Sequence, residues 1–425
     1  MKQFCAAGLL GLLAGCAVAP RFSPELACHI PSGSEQSALQ ILKSENEAAA
    51  GTPFHGGNSV QLLKNGPATY AVMMAAIKSA HQQIDMESYE FDGQAAAEFA
   101  ALLIEKAGEG VQVRLIYDAF GSKHEPASLF TALKKGGVQV EEYSPLNPLK
   151  LKTLDLNKRD HRKLLVVDGR QVITGGVNIA QFYEHNTTPP PDAGPAGALP
   201  WRDTDIAITG PVAADFDAMF AKTWVKEGGK PFTLMPAAQI PQGNTVVQAI
   251  DGSPRDDHPA IYDSLLTAIA TARHSVHLTT GFFVPPPELS EALECAARRG
   301  VDVRIILPSR STSGTAIAGG RADYGDLLKA GVKIYERQGV VLHAKTAVID
   351  GIWSVVGSSN LDWRSAISNN EIDAVVIGHS FGQQMEAMFK GDEARSKQVT
   401  LQAWRHRGLG ERLREIKAQT VQMLL

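Results

Sequence analysis

Beyond its first sixteen residues the chain has no uncharged apolar run approaching the ~20 residues that a bilayer-spanning helix needs. Net charge is equally scarce. The 41 Lys and Arg against 45 Asp and Glu leave −4, which gives no support for bulk binding to nucleic acid or another polyanion. Only four cysteines occur in 425 residues, and no Cys/His cluster has the spacing of zinc ligands. What is present reads as globular: 44% hydrophobic and 20% charged residues, in a length that suits about two domains.

The start stands apart from the fold. Met1-Lys2 precedes "FCAAGLLGLLAGC", too short for a spanning helix and built like a secretory signal. Its end, "LAGC" (Leu13 to Cys16), resembles the bacterial lipobox, in which the cysteine takes a lipid. Residues 1–15 are then a removed signal, Cys16 an anchor and residues 16–50 a tether. An ordinary cleaved signal is the alternative. The expected location is the bacterial cell envelope, lipid-anchored and facing the periplasm, with Ala17 after the cysteine suggesting the outer membrane. Cys5 leaves with the signal. Cys28 sits in the tether and Cys295 in a helical pattern, so both are expected as unpaired thiols, although an exported compartment permits a disulfide.

The remainder repeats itself. "NSVQLLKNGPATYAVMMAAIKSAHQQIDMESYEF" (Asn58 to Phe91) runs beside "NTVVQAIDGSPRDDHPAIYDSLLTAIATARHSVHLTTGFF" (Asn244 to Phe283), each reading as strand, loop, helix, strand. Helix–Gly–strand units follow in both halves. This predicts an α/β chain of two duplicated domains, 51–235 and 236–425, with two helix-flanked sheets about a pseudo-two-fold axis, a monomer built like a fused dimer.

The chemistry-bearing residues repeat too. In "DHRKLLVVDG" and "LHAKTAVIDG", His161, Lys163, Asp168 and Asn178 share their spacing with His343, Lys345, Asp350 and Asn360. A His and a Lys two apart on a strand point to one side and can reach one ligand together. The turns "TGGVN" and "VGSSN", carrying Gly176 and Ser358, bring backbone N–H groups and an amide towards an anion. Aligning "WRDTDIAITG" with "NNEIDAVVIG" sets Asp203 against Glu371, candidate carboxylates to fix the tautomer of each histidine. Two such sets face to face make a receptacle for a tetrahedral anion, with the lysines neutralising it. Two histidines across a phosphodiester imply attack by one imidazole and proton donation by the other, without metal or cofactor. Asp168 and Asp350 each precede a glycine, so a turn role stands beside a catalytic one. "NTTPPPDAGPAGALP" (Asn186 to Pro200) reads as a surface loop. The basic run from Ser144 to Lys163 reads as facing anionic headgroups or solvent. The tail from Leu409 presents one apolar helical face, to pack on the body.

The doubled His-x-Lys-x4-Asp pattern, with "GGVN" and "GSSNLDWRS", resembles the phospholipase D superfamily over nearly all of the chain after the signal. "WRDTDIAITGP", "GSSNLDWRSAISNNEIDAVVIG" and "GFFVPPPELSEALECAARRGVDVRIILP" are similar to bacterial cardiolipin synthases. The resemblance implies paired α/β sandwiches with one shared active site. It makes His161 the nucleophile and His343 the acid and base. Lys163, Lys345, Asn178 and Asn360 become phosphate ligands, and Asp203 and Glu371 the orienting carboxylates. Phosphatidyl transfer from phosphatidylglycerol or phosphatidylethanolamine is the implied activity. Hydrolysis to phosphatidic acid, nuclease action and an idle scaffold are the rival readings.

Overall fold

The computed structural model describes residues 28, 34–147, 158–184, 199–237, 240–253, 259–311, 314–408, 410 and 412. The signal with Cys16, Lys150 and Lys152, most of the 186–200 insertion and nearly all of the tail lie outside the described residues.

After helix α1 (Glu35–Ala50), the first half runs β1 (His55–Lys64), α2 (Asn65–Lys78), β2 (Gln83–Ser88), α3 (Gly93–Gly108) and β3 (Gln112–Asp118). It continues through α4 (Ala127–Lys135), β4 (Gln139–Tyr143), β5 (Lys163–Val167), β6 (Gln171–Gly175), β7 (Thr204–Thr209) and α5 (Ala213–Lys226). The second half repeats the plan as β8 (Thr245–Asp251), α6 (Ala260–Thr271), β9 (Ser275–Thr280), α7 (Pro287–Arg298) and β10 (Asp302–Pro308). Then come α8 (Tyr324–Ala330), β11 (Lys333–Arg337), β12 (Lys345–Ile349), β13 (Trp353–Gly357), β14 (Ile372–Ile377), α9 (His379–Glu393) and β15 (Ser396–Val399). Helix α7 shows how local sequence builds an element. Pro287 stands at its start, where a missing N–H costs nothing, and Leu289, Ala292, Leu293 and Ala296 bury one face.

Among the described residues these fifteen strands form one sheet, in the order β15-β11-β10-β9-β12-β13-β14-β8-β1-β7-β6-β5-β2-β3-β4, beside two short two-stranded pairs. Reading outward from the β8–β1 junction gives the same succession both ways, with β15 added at the far edge of the second half. The two sheets expected from the sequence are therefore one. β1 and β8 pair antiparallel across the midline, His55 against Val247 and Asn58 against Thr245. A pairing between strands so far apart along the chain leaves no local mark.

Leu165 and Val167 of β5 pack under the first half's helices, while Leu164 and Val166 enter a core shared with Val348, Val356 and Val376 of the second half. Burial on both faces is why "KLLVV" reads as one apolar run and not as alternation. Each such side chain contributes about 1.5–3 kcal/mol relative to exposure, so parting the halves is unfavourable and the site between them is held rigid.

Two further expectations change. Residues 35–50, assigned to the tether, form α1, whose Leu42 and Ala50 join the second half's core. Buried Asn46 accepts hydrogen bonds from Ser264 and from the Trp353 indole at 3.3 Å. Cys28 and Cys295, expected to be unpaired, form a disulfide with Cα atoms 4.5 Å apart. Their 267-residue separation hides the pairing from any local pattern.

Candidate active site

Each histidine lies just ahead of a central strand and is docked against the opposite half. The His161 N–H donates to the Asn370 carbonyl and the His343 N–H to the Arg202 carbonyl, both at 2.9 Å. Val341–Leu342, leading into His343, pairs in parallel with Trp201–Arg202. The carboxylates are thereby exchanged between halves. His161 Nδ1 sits 3.0 and 3.1 Å from the Glu371 oxygens, and His343 Nδ1 sits 2.7 Å from Asp203 Oδ2. A carboxylate on Nδ1 holds the proton there and leaves Nε2 as the working nitrogen of each ring.

The two rings open onto one cavity of about 430 Å³. Their centroids lie 6.5 Å apart at 72°. Both rings therefore face the same space, as a group reached by both would require. The side chains of Lys163 and Lys345 are buried, and each Nζ donates to the carbonyl of the histidine two residues before it.

Burial governs the proton affinities. Burial, then Lys163 and Lys345, hold His161 well below the ordinary imidazole range. Burial and Lys345 bring His343 down to about 3, against the opposite pull of Asp203. Burial lowers Lys163 to about 8 and Lys345 to about 7. Burial alone would raise Asp203, but His343 and Lys345 outweigh it and hold that carboxyl below its usual value. Glu371 is raised, by burial first. Both imidazoles are thus favoured in the neutral form, and a phosphodiester anion between them would supply the negative charge that favours protonating one of them.

Not every residue singled out from the sequence meets the cavity as expected. Asp168 accepts from the N–H groups of His81, Gln82 and Gln83, and Asp350 from those of Arg273, His274 and Ser275. They stand at the far ends of β5 and β12, seven residues beyond the histidines, at φ +50° and +52°. The three N–H bonds offset the cost of a left-handed backbone, about 1–2 kcal/mol. Their catalytic assignment is corrected to a turn clamp. Ser358 donates its hydroxyl to Glu371 at 2.5 Å, and its N–H goes to the Ile372 carbonyl. Gly176 gives its N–H to the Thr204 carbonyl, and a Cβ there would collide with the Asp203 carboxylate. Both residues accordingly seat the carboxylates and are not phosphate ligands. Asn178 and Asn360 do line the cavity. In the basic run, Arg162 is fully buried and donates to the Glu371 carbonyl, Thr223 and Asp251, while Arg159 lines the cavity.

Other residues of the site went unread. Asp205 and Asp373 accept from Val177 N–H at 3.0 Å and Ser359 N–H at 3.2 Å, fixing the two turns. The shared spacing of "DTD" and "EID" was the available signal. Tyr183, whose hydroxyl lies 3.0 Å from His343 Nδ1, stands where the other repeat has Ser365, a change of residue type that hid the correspondence. Glu90 also lines the cavity, and its Oε2 has no hydrogen-bond partner among the described residues.

The comparisons with known proteins agree with this geometry. The family model described as "Cardiolipin synthase, PLD-like domain" matches residues 73–185 and 265–393, one segment in each half. "Cardiolipin synthase A" of Pseudomonas putida (strain GB-1) is 33% identical over 375 residues, covering 86% of this chain and 76% of that protein. Its namesake in Pseudomonas aeruginosa (strain LESB58) is 34% identical over 352 residues, 82% and 70% of the two chains. The crystal structure of phosphatidylserine synthase from Haemophilus influenzae Rd KW20 superposes with a TM-score of 0.67 at 14% identity, over 91% of this chain and all of that one, a likeness of fold. With a histidine from each half on one cavity and relatives this similar along most of the sequence, the chain belongs to the cardiolipin synthase-like family of the phospholipase D superfamily.

Proposed function

We propose that the protein is a phosphatidyltransferase that makes cardiolipin through a phosphohistidine. His161 Nε2 attacks the phosphorus of a phosphatidylglycerol in line. The P–O bond to the head group breaks, and His343, which takes up a proton at Nε2 when the phosphodiester anion binds, gives it to the departing glycerol oxygen. The hydroxyl of a second phosphatidylglycerol then loses its proton to His343 and forms the new O–P bond as the P–N bond breaks. Cardiolipin and one glycerol result. Lys163, Lys345, Asn178 and Asn360 bind the phosphoryl oxygens, whose charge grows in the transition state. Phosphatidylethanolamine is the second donor, and the active form is a monomer of two fused halves, 51–235 and 236–425.

The observation that carries this reading is the pair of imidazoles, from opposite halves, with ring centroids 6.5 Å apart on one cavity. The division of roles is supported by charge. Burial and both lysines push each histidine downward, but ionised Asp203 opposes them at His343, which suits the acid, whereas no carboxylate stands among the main causes acting on His161. Phe120, at the cavity and 45% exposed, has Lys123 Nζ 4.2 Å above its ring, a pairing suited to a membrane surface.

Attachment through a lipid on Cys16, after removal of residues 1–15, belongs to the same proposal and places the enzyme on the periplasmic side of the cell envelope. The Cys28–Cys295 disulfide supports an oxidising compartment. No helix among the described residues is long and apolar enough to cross a membrane.

Incubating the protein with phosphatidylglycerol vesicles tests the reaction. Cardiolipin and glycerol in equal amounts, absent with His161→Ala, are expected. Phosphatidic acid as the sole product would assign hydrolysis, and no lipid product from the parent protein would remove the reading.

A further inference from the structure

The two halves differ where the chain leaves β2 and β9. Ser88 pairs with Lys163 and Thr280 with Lys345, so two residues further on Glu90 corresponds to Phe282. Both line the cavity. Phe282 lays its ring 6.5 Å from that of His343, while Glu90 brings a carboxylate to a place where the pseudo-symmetric site has none.

Glu90 is rigidly seated. Its carbonyl accepts from Ser88 Oγ at 2.6 Å and from Ile179 N–H at 3.1 Å, and its N–H donates to Asn178 Oδ1 at 3.2 Å. Its Oε2 is buried yet bonded to nothing among the described residues. A buried carboxylate oxygen without a hydrogen-bond partner is unfavourable, and a substrate group that donates to it recovers that loss.

The charge around it says which donor. Burial holds the Glu90 carboxyl up at about 7, while Lys163 and Lys345 pull it down and Asp92 pushes it up. The same cavity is faced by Arg159 and Arg364, with Asp362 as a further acid. A cationic head group would meet those two lysines and two arginines. A neutral hydroxyl meets no such repulsion.

We propose that Glu90 forms a subsite for a polyol acceptor, a glycerol-type head group, its Oε2 accepting a hydrogen bond from a hydroxyl adjacent to the one that attacks. The attacking hydroxyl still gives its proton to His343, and Glu90 neither gains nor loses one. Water and monohydric alcohols have no second hydroxyl, so Glu90 sets how much of the phosphatidyl group reaches a polyol. The proposal rests on the phosphohistidine reading.

The test is a competition between labelled glycerol and labelled 1-propanol for the phosphatidyl group of dispersed phosphatidylglycerol. The parent is expected to favour glycerol. Glu90→Leu is expected to lower the glycerol-to-propanol ratio at least about tenfold, the worth of one hydrogen bond to a charged acceptor. Its continued use of propanol shows that the variant is folded. Glu90→Gln, which keeps an acceptor oxygen, should hold a ratio near the parent's. An unchanged ratio in Glu90→Leu, an equal loss in Glu90→Gln, no glycerol preference in the parent or a preference for ethanolamine over glycerol each overturns the subsite. If neither labelled alcohol enters lipid with the parent, the transferase reading itself falls and the subsite with it.

Discussion

The two histidine–carboxylate pairs share one backbone plan and little else. Glu371 is held by three side chains, Ser358 at 2.5 Å, Ser365 at 2.8 Å and Asn369 at 3.4 Å. Ser365 is itself fixed by its N–H to the helix-capping Asp362. Asp203 has a shorter side chain, Gly176 where the other half has Ser358, and the aromatic Tyr183 and Trp201 around its histidine. One carboxylate shares its charge among side-chain hydroxyl and amide donors; the other is met by an imidazole at Oδ2 and by the Thr204 N–H at Oδ1. Duplication thus supplied two rings facing one cavity, and divergence of the braces gave each ring a different carboxylate environment, the kind of asymmetry that the proposed acid and nucleophile roles require.

That comparison is broken most severely at the rings. His161→Ala should abolish phosphohistidine labelling and lower transfer by at least about 10⁴-fold. His343→Ala should cost about 10²–10⁴-fold on natural head groups, yet regain much of its rate with p-nitrophenol as leaving group, which needs no proton. Recovery in His161→Ala instead would exchange the two roles.

The carboxylates come next. Asp203→Asn is expected to lower kcat/KM by about 10²–10⁴-fold, the scale seen when an orienting carboxylate is neutralised. Asp203 raises the proton affinity of His343. Its loss therefore moves the alkaline limb of the pH profile to lower pH, because the acid then deprotonates sooner. Glu371→Gln should lower the rate with a smaller movement of that limb. Equal movements would show that the two braces do not differ electrostatically.

Stability offers a third contrast, since the disulfide staples only the second half. Cys295→Ser should cost about 2–4 kcal/mol in denaturant unfolding, with no comparable site in the first half. An unchanged midpoint would mean that the Cys28–Cys295 bond adds nothing to the stability that α1 already gains by packing on the second half.

The smallest effect concerns pH. The imidazole of His343 lies at about 3 in the folded protein and near the ordinary ~6.5 when unfolded. Between those values only the unfolded chain takes up the proton, so this residue's contribution to stability is lost as pH falls from about 6.5 towards 3. His343→Gln should show a shallower decline of Tm across that window than the parent. Parallel curves would contradict the assignment.

Much of the site was legible because the repeat doubles every signal. His161 with Lys163 and His343 with Lys345, followed by Asn178 and Asn360 at one spacing, mark a strand that presents a basic pair and a turn that brings an asparagine to the same cavity. What could not be read was each side chain's partner. Ser358 resembles an anion ligand in "GSSN" but turns to Glu371. Asp168 and Asp350 keep the spacing of the motif yet bind backbone N–H groups on the preceding loops. Spacing along a strand reports the side on which a residue emerges, not what waits there.

Sequence alone determined the α/β repeat, the paired motifs and the alignment of Asp203 with Glu371, because periodicity and spacing are local properties of a chain. Tertiary structure decided the rest: the single sheet joined through β1 and β8, the exchange of carboxylates between halves, the Cys28–Cys295 bond and the unshared oxygen of Glu90. Each of these depends on surfaces distant along the chain meeting in one packed core, and only the burial of both makes the contact.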